Sequence, residues 1–541
     1  MNRHASIYAI LRTQAMRDPG KRFVTCGHAS YTYAQMLGAA DALAKGLFAH
    51  GVNPGDRVAI ICPNRPEMLE LYFACARLGA IQVPLNVYLR GEFLAHELED
   101  CTPTALVTDV AGLRASLPIL SRLPELRLIV LLDDAATHAA ISQRVTPFRA
   151  VVAAGSSVAD QSVPRPQPQD TMELLYTSGT TGSSKGCVIS NGYSIRAGHF
   201  GAQLLALSPD EHLITALPLF HGGARLIGLA GALVSGSSLS ILPEFRASTF
   251  LKDATAVAAT VTLGVGAMAM ALLAQPPAAA DTQHTIRRAV CGPLTAEQQA
   301  DFERRFGIEV SAGIFGQTEC VPIAFAPPDG LANPRAAGAP APDLEVAILD
   351  DCDQRLPAGE VGEVAIRPRH RYAMFDGYWH NAEATVDCWR GLWHHTGDHG
   401  RLDTEGLLYF VDRKKDSLRR RGENVSSVAV ETAISRHPKV AAVAVHAVPA
   451  EVGEDDIKAC IVLEQGQVTS PAEMFDYFVA QLPYFAVPRY VEVLTELPLN
   501  AMLRVMKYKL RQRGVTESTW DLSALGLSVE RDARRHTPSS C

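Results

Sequence analysis

LLYTSGTTGSSKG, residues 174–186, is the stretch on which the reading of this chain turns. Around Lys185 it sets three glycines and six serine or threonine residues. Glycines let a backbone turn its N–H groups inward, the hydroxyls add donors, and the lysine adds a point charge, so the segment suits an anion. An ordinary polar turn shares the composition but rarely this order. A Walker A loop is excluded by the glycine spacing and by the next segment, CVIS, residues 187–190, which reads as a strand and not a helix. The phosphate site therefore lies in a β-loop-β hairpin without a helix dipole.

Outward from the loop, the 541 residues are too many for one hydrophobic core, so two or more domains are expected. Hydrophobic residues make up 47% and charged residues 20%, which is globular composition. A formal charge of −7 leaves no excess of Lys and Arg for a phosphate backbone, so nucleic acid is not an expected partner. The first twenty residues lack the apolar core and cleavage site of a signal peptide, and no apolar run reaches bilayer-spanning length. Eleven scattered cysteines with no CxxC pair read as reduced thiols, which places the chain in the cytoplasm.

From residue 57 to 134, short apolar runs (RVAIICP, IQVPLN, ALVTDV, LRLIVLLDD) alternate with helical patterns, one of them capped near Asn64. This is βα alternation, hence a layered α/β architecture. A Ser, Pro, Gln and Asp-rich shift over 148–170 reads as an exposed linker into the strand MELLY. The alternation continues to about Phe410, where the charged stretch DRKKDSLRRRGEN marks a domain junction. Beyond it, VAAVAVHAV, DIKACIVLE and YVEVLTELP read as strands around helices at 471–481 and 505–513, a small α+β domain. The last two dozen residues are expected to be partly disordered.

The loop resembles the phosphate loop of the adenylate-forming superfamily of acyl-CoA synthetases, luciferases and nonribosomal adenylation domains. PLFHGGA (218–224), FGQTE (315–319), GEVAIRP (362–368), HTGD (395–398), VDRKKD (411–416) and RRGENVSS (420–427) resemble its further motifs in order and spacing. The similarity spans most of residues 30 to 510 and is strongest to the crotonobetaine/carnitine-CoA ligase-like branch. It implies a large N-terminal domain over 1–412, a hinge at 413–416, a mobile C-terminal domain over 417–513 and a tail over 514–541.

What the resemblance implies for single residues is specific. Thr177, Ser178, Gly179, Thr180, Thr181 and Lys185 would hold phosphates, Phe315 would stack on adenine, and Gly292 and Gly316 would be further nucleotide-binding positions. Thr318 would bond a phosphoryl group, and Glu319 would help hold Mg2+, a hard ion that takes oxygen ligands. Asp398 and Arg413 would grip the ribose. His221 would separate the acyl site from the nucleotide or gate CoA; a merely packed histidine is the competing reading. Lys415 is the hinge residue, and Gly422 would let the CoA pantetheine arm pass. His394, His395 and His399 are read as structural.

One motif departs from the pattern. Where the family has Pro, three variable positions, Ser/Thr, Gly and Lys, this chain has PLNAMLR, residues 498–504. Arg504 stands at the lysine that bridges carboxylate and α-phosphate during adenylation, and a broad guanidinium does not reproduce a compact ammonium between two anions. Adenylation is thus expected to be weak or lost, leaving an enzyme that transfers the acyl group of a preformed acyl-AMP to CoA, with a separate ligase making the adenylate, as in platensimycin-type natural product pathways. A complete ATP-dependent acid-CoA ligase, with Arg504, Lys507 or Lys509 as the substitute, and a silent nucleotide or acyl-AMP binding protein are the alternatives; a phosphate-loop NTPase is the remote one. The segments GLAGALVSG (228–236) and TLGVGAMAMALL (262–273) fit a roomy pocket for a bulky apolar acid, or equally tight helix packing.

Overall fold

The computed structural model describes residues 6–133, 145–160, 166–177, 184–292, 294, 296–327, 333, 336–350, 352–413, 417–420, 423–450, 455–498, 505 and 507–529. At 411–413, 417, 419, 424, 426, 428 and 508 this is the backbone alone.

Two seven-stranded sheets dominate the large part of the chain. One runs in the order Val145–Pro147, Leu128–Leu131, Ala105–Thr108, Arg57–Ile61, Ile81–Pro84, Thr171–Thr177, Lys185–Ser190. All its pairs are parallel except the last, where 171–177 and 185–190 form the antiparallel hairpin that carries the phosphate loop. The other sheet is ordered Glu309–Ser311, Arg288–Gly292, Val261–Val265, His212–Thr215, Ser238–Ile241, Arg22–Cys26, Ala29–Thr32. Parallel strands need crossovers and are covered on both faces, so Ala105–Thr108, Leu128–Leu131 and His212–Thr215 are buried at every position. A five-stranded antiparallel sheet built from Leu344–Leu349, Gly362–Pro368, Trp389–Arg390, Trp393–Leu402 and Leu408–Arg413 completes this part.

Three expectations are corrected here. Asn64 caps no helix: the helix Pro66–Leu78 starts after Arg65, with proline in its first turn. Asn64 instead donates to the carbonyls of Leu217 and Leu242 and accepts from the Leu219 N–H, pinning the strand end before His221. The linker over 148–170 opens with a helix, Phe148–Ala154, whose Phe148 and Val151 are buried. And the chain after 513 returns to the small domain as the strand Thr519–Asp521, held by Arg489, whose guanidinium pairs with Asp521 at 2.9 Å; short polar strands of this kind carry little periodic signal.

The small domain has its own core, with Phe478, Met474, Ile457 and Val491 at its centre. Its four-stranded sheet runs Val440–Pro449, Asp455–Leu463, Tyr490–Leu494, Thr519–Asp521, and helices Ser427–Ile434, Pro471–Gln481 and Lys507–Arg513 surround it. In front stands a hairpin of Ser417–Arg420 and Glu423–Ser426.

The two large sheets are tied together by one buried cation. Arg225 is 1% exposed, and its Nε lies 2.6 Å from the Glu173 carboxylate, itself fully buried, on the strand that leads into the phosphate loop. The same guanidinium bonds Gln82, donates to the Leu219 carbonyl at 3.3 Å and lies 4.5 Å from the centre of the Tyr72 ring. Burial pushes the Glu173 carboxyl up while Arg225 pulls it down. Removing one partner of such a pair strands the other charge, so Arg225→Met is expected to lower unfolding free energy by about 3–5 kcal/mol in urea denaturation. Replacing Glu173 and Gln82 together with apolar residues in that background is expected to recover most of the loss.

Candidate functional site

A cleft of ≈ 2480 Å³ runs between the large sheets, the antiparallel sheet and the small domain. The phosphate hairpin delivers Thr177 and Lys185 to it as a cross-strand pair, so the ends of the loop face each other at the cleft wall. Lys185 Nζ sits 4.6 Å above the centre of the Tyr378 ring. Behind the hairpin, His96 bonds the Ser184 carbonyl at 2.8 Å and the Tyr176 hydroxyl donates to Asp100 at 2.6 Å, which fixes the base of the loop against helix Gly91–Cys101.

Phe315, Gly316, Thr318 and Glu319 come from strand Ile314–Gln317 and the turn after it, and all four line the cleft. The buried Tyr193 holds this turn: its hydroxyl donates to the Thr318 carbonyl at 3.0 Å and accepts from the Val321 N–H at 2.7 Å. Glu319 Oε1 accepts from the Tyr378 hydroxyl at 2.7 Å. The Phe315 ring lies 5.8 Å from that of Phe410, a half-exposed aromatic wall. Gln317, on the same strand, donates at 2.7 Å to both the Thr396 carbonyl and Asp398 Oδ2, so it joins the aromatic strand to strand Trp393–Leu402. Asp398 is only 4% exposed and faces Arg413 in the backbone register. Gly292 closes the strand Arg288–Gly292 at the cleft edge.

His221 ends the run pinned by Asn64 and precedes the π-helical turn Gly223–Leu229. Its Nε2 lies 2.8 Å from Glu423 Oε2, the first residue of the small-domain hairpin's second strand, so the contact bridges the two parts of the chain. Part of the cleft wall is apolar: Leu226, Ile227, Leu263, Val265, Val290 and Ile314 line it. The two small-residue segments therefore divide their roles. Residues 262–273 supply wall positions, whereas 228–236 is mainly packing: a Cβ on Gly198 would come within 2.8 Å of the Ala230 backbone, so Gly198 is what lets the two helices touch.

Of the site residues expected from sequence, Thr177, Lys185, His221, Gly292, Phe315, Gly316, Thr318, Glu319 and Asp398 converge on this one cleft. Ser178, Gly179, Thr180, Thr181, Lys415, Gly422 and Arg504 lie outside the described residues, as does the Arg413 side chain. The sequence reading missed Gln317, Tyr378 and Glu423. Gln317 and Glu423 sit inside motifs already singled out, between Gly316 and Thr318 and next to Gly422; Tyr378, in FDGYW, carries no signal beyond an aromatic after a glycine. Among the described residues no helix is long and apolar enough to cross a membrane.

Comparison with known proteins agrees with this geometry. Residues 11–379 match the AMP-binding enzyme family and residues 429–502 the AMP-binding enzyme C-terminal domain. The crotonobetaine/carnitine–CoA ligase of Salmonella enteritidis PT4 (strain P125109) is 33% identical over 494 residues, covering 89% of this chain and 93% of that one. Among solved structures, the o-succinylbenzoate CoA synthetase of Bacillus subtilis superposes with a TM-score of 0.79 at 26% identity, covering 94% of this chain and 99% of its own. An amide bond synthetase from Marinactinospora thermotolerans gives 0.80 at 26% with the same coverage, and the anthranilate CoA ligase AuaEII, in complex with anthranoyl-AMP, gives 0.71 at 25%, covering 95% and 98%. With two matched domains and a relative that is alike over nearly its whole length, the chain belongs to the AMP-binding enzyme family, among its AMP-forming acyl-CoA ligases.

Proposed function

We propose that this chain forms an acyl-CoA thioester from an acyl adenylate and CoA, with its own adenylation step weak or lost, and that another ligase supplies the adenylate in the cytoplasm. The observation that carries the reading is the His221–Glu423 contact: Glu423 lines the cleft and follows in sequence directly on Gly422, the position associated by resemblance with the pantetheine arm. Arg504 in place of the bridging lysine supports the same reading from sequence. In this reading the chain comprises an N-terminal domain to 412, a hinge at 413–416 and a small domain that starts at 417 and takes in the strand Thr519–Asp521.

In the transfer, the CoA thiol gives up its proton to solvent, sulfur bonds to the acyl carbon, and the bond from that carbon to the phosphate oxygen breaks, releasing AMP. The chain's part is electrostatic and positional. Lys185 neutralises the departing phosphate, Thr318 donates to it, Phe315 stacks on adenine, and Asp398 with Arg413 holds the ribose. His221 stands between the acyl site and the nucleotide site, or gates the entry of CoA. The apolar wall of Leu226, Ile227, Leu263 and Val290 takes a bulky apolar acyl group.

A complete ligase is the second reading, favoured by the intact Glu319. Its carboxylate lines the cleft beside Thr318 and keeps an oxygen that Tyr378 does not occupy, which fits Mg2+, an ion content with one or two carboxylates plus substrate phosphates. When bound, Mg2+ would offset phosphate charge during adenylate formation.

Three experiments test the assignment. Pyrophosphate exchange into ATP with a panel of apolar acids is expected to be at least about a hundredfold slower than after Arg504→Lys, the usual weight of one positioned contact; vigorous exchange by the unaltered chain favours the complete ligase. Synthetic acyl-AMP plus CoA is expected to yield thioester, and nucleotide binding without thioester would identify a silent binder. In calorimetry, Phe315→Ala is expected to cost about 1–3 kcal/mol of AMP affinity, the value of a stacked base, while Phe315→Tyr leaves it unchanged.

A further inference from the structure

Residues 375–379 form a strap laced to two parts of the site at once. Trp379 N–H donates to the Gly186 carbonyl at 2.8 Å, Val188 N–H to the Gly377 carbonyl at 2.9 Å, and Asp376 N–H to the Val188 carbonyl at 2.9 Å, so the strap runs along the strand that leaves the phosphate loop. At its other end Phe375 N–H donates to the Glu319 carbonyl at 2.8 Å. Tyr378 sits in the middle, bridged to Cys187, with its own N–H on Thr385 Oγ1 at 2.9 Å and its ring edge-on to Phe375 at 5.0 Å.

From that anchored position one side chain serves two opposite charges. The negative face of the ring meets the Lys185 ammonium at 4.6 Å, and the hydroxyl proton meets Glu319 at 2.7 Å. Burial and the adjacent Glu319 push the phenol far above the usual tyrosine range, so it stays a donor. Lys185 and Glu319 make no ion pair with each other among the described residues. In a half-buried cleft an ammonium and a carboxylate without a spacer attract strongly and close into a pair, and a closed pair would withhold both charges from a ligand.

We infer that Tyr378 is a positioning residue that holds Lys185 and Glu319 apart, keeping the lysine free for a phosphoryl group and the carboxylate free for a divalent cation. The inference deepens the complete-ligase reading above and rests on the assignment of Lys185 to the nucleotide phosphate and of Glu319 to Mg2+. It separates the two halves of the tyrosine: the ring serves the lysine, and the hydroxyl serves the carboxylate.

The test is calorimetric titration of the full chain with AMP and with ATP in the presence and absence of Mg2+. Tyr378→Phe keeps the ring and loses the hydroxyl, a bond to a charged group; MgATP affinity is expected to fall at least about tenfold, with AMP affinity within about twofold of the unaltered protein. Tyr378→Leu loses both halves and is expected to weaken AMP as well. In the Glu319→Gln background, where the carboxylate charge is gone, Tyr378→Phe is expected to change MgATP affinity by less than about twofold, because the hydroxyl acts through that residue. Equal losses for AMP and MgATP in Tyr378→Phe, or no loss of either, would overturn the inference. If the unaltered chain binds neither AMP nor MgATP, the nucleotide reading itself fails and takes the inference with it.

Discussion

A guanidinium with no access to water fixes the relation on which the cleft depends. Arg225 belongs to the connection leaving one large sheet, and its partners Glu173 and Gln82 belong to the other. An ion pair this deep gains little net stability over well-packed apolar side chains, because the desolvation of both charges offsets their attraction. What it supplies is geometry, since a charged fork tolerates only one arrangement of acceptors. Glu173 lies four residues before Thr177, and the Leu219 carbonyl that Arg225 also binds lies two before His221. One buried side chain thereby sets the distance between the base of the phosphate hairpin and the residue at the acyl side.

The second tie is made of backbone. The strap at 375–379 is bonded both to the strand leaving the loop and to Glu319, so those two segments cannot drift independently. Asn64 and Tyr193 do the same for the His221 run and the turn at Thr318. Each tie is a buried or half-buried polar group bonded to residues distant in sequence. Such groups are costly to leave unpaired, which is why a site assembled from separate segments can hold one geometry before any ligand arrives.

That same distance explains what a sequence can and cannot convey. The hairpin, the parallel strands and the helix Pro471–Gln481 are legible because hydrophobic period and strand-flanking residues are local signals. Of the nine site residues that meet in the cleft, all but Gly292 are legible because motif order carries them. Asn64 misleads because an asparagine before a helical pattern looks like a cap, and only the fold brings the Leu217 and Leu242 carbonyls to its amide. Residues 148–154 mislead because FRAVVAA is succeeded by linker composition, although the helix buries Phe148 and Val151 against the core. Tyr378 is invisible for the deeper reason that its two partners, Lys185 and Glu319, are nearly two hundred and about sixty residues distant.

The absence of a helix behind the loop gives the lysine more to do. In a Walker A loop, a helix N-terminus adds backbone donors and a favourable dipole to the phosphate site. Here the loop runs into a strand, and sheets have little net dipole, so among the described residues at the loop, Lys185 is the formal positive charge on that wall of the cleft. The same cleft carries the carboxylate of Glu319. A single ammonium near a carboxylate holds a phosphate only if it is kept from pairing with it. The aromatic face under Lys185 meets that need without adding a competing anion, and the hydroxyl on the same ring occupies the carboxylate that would otherwise reach it.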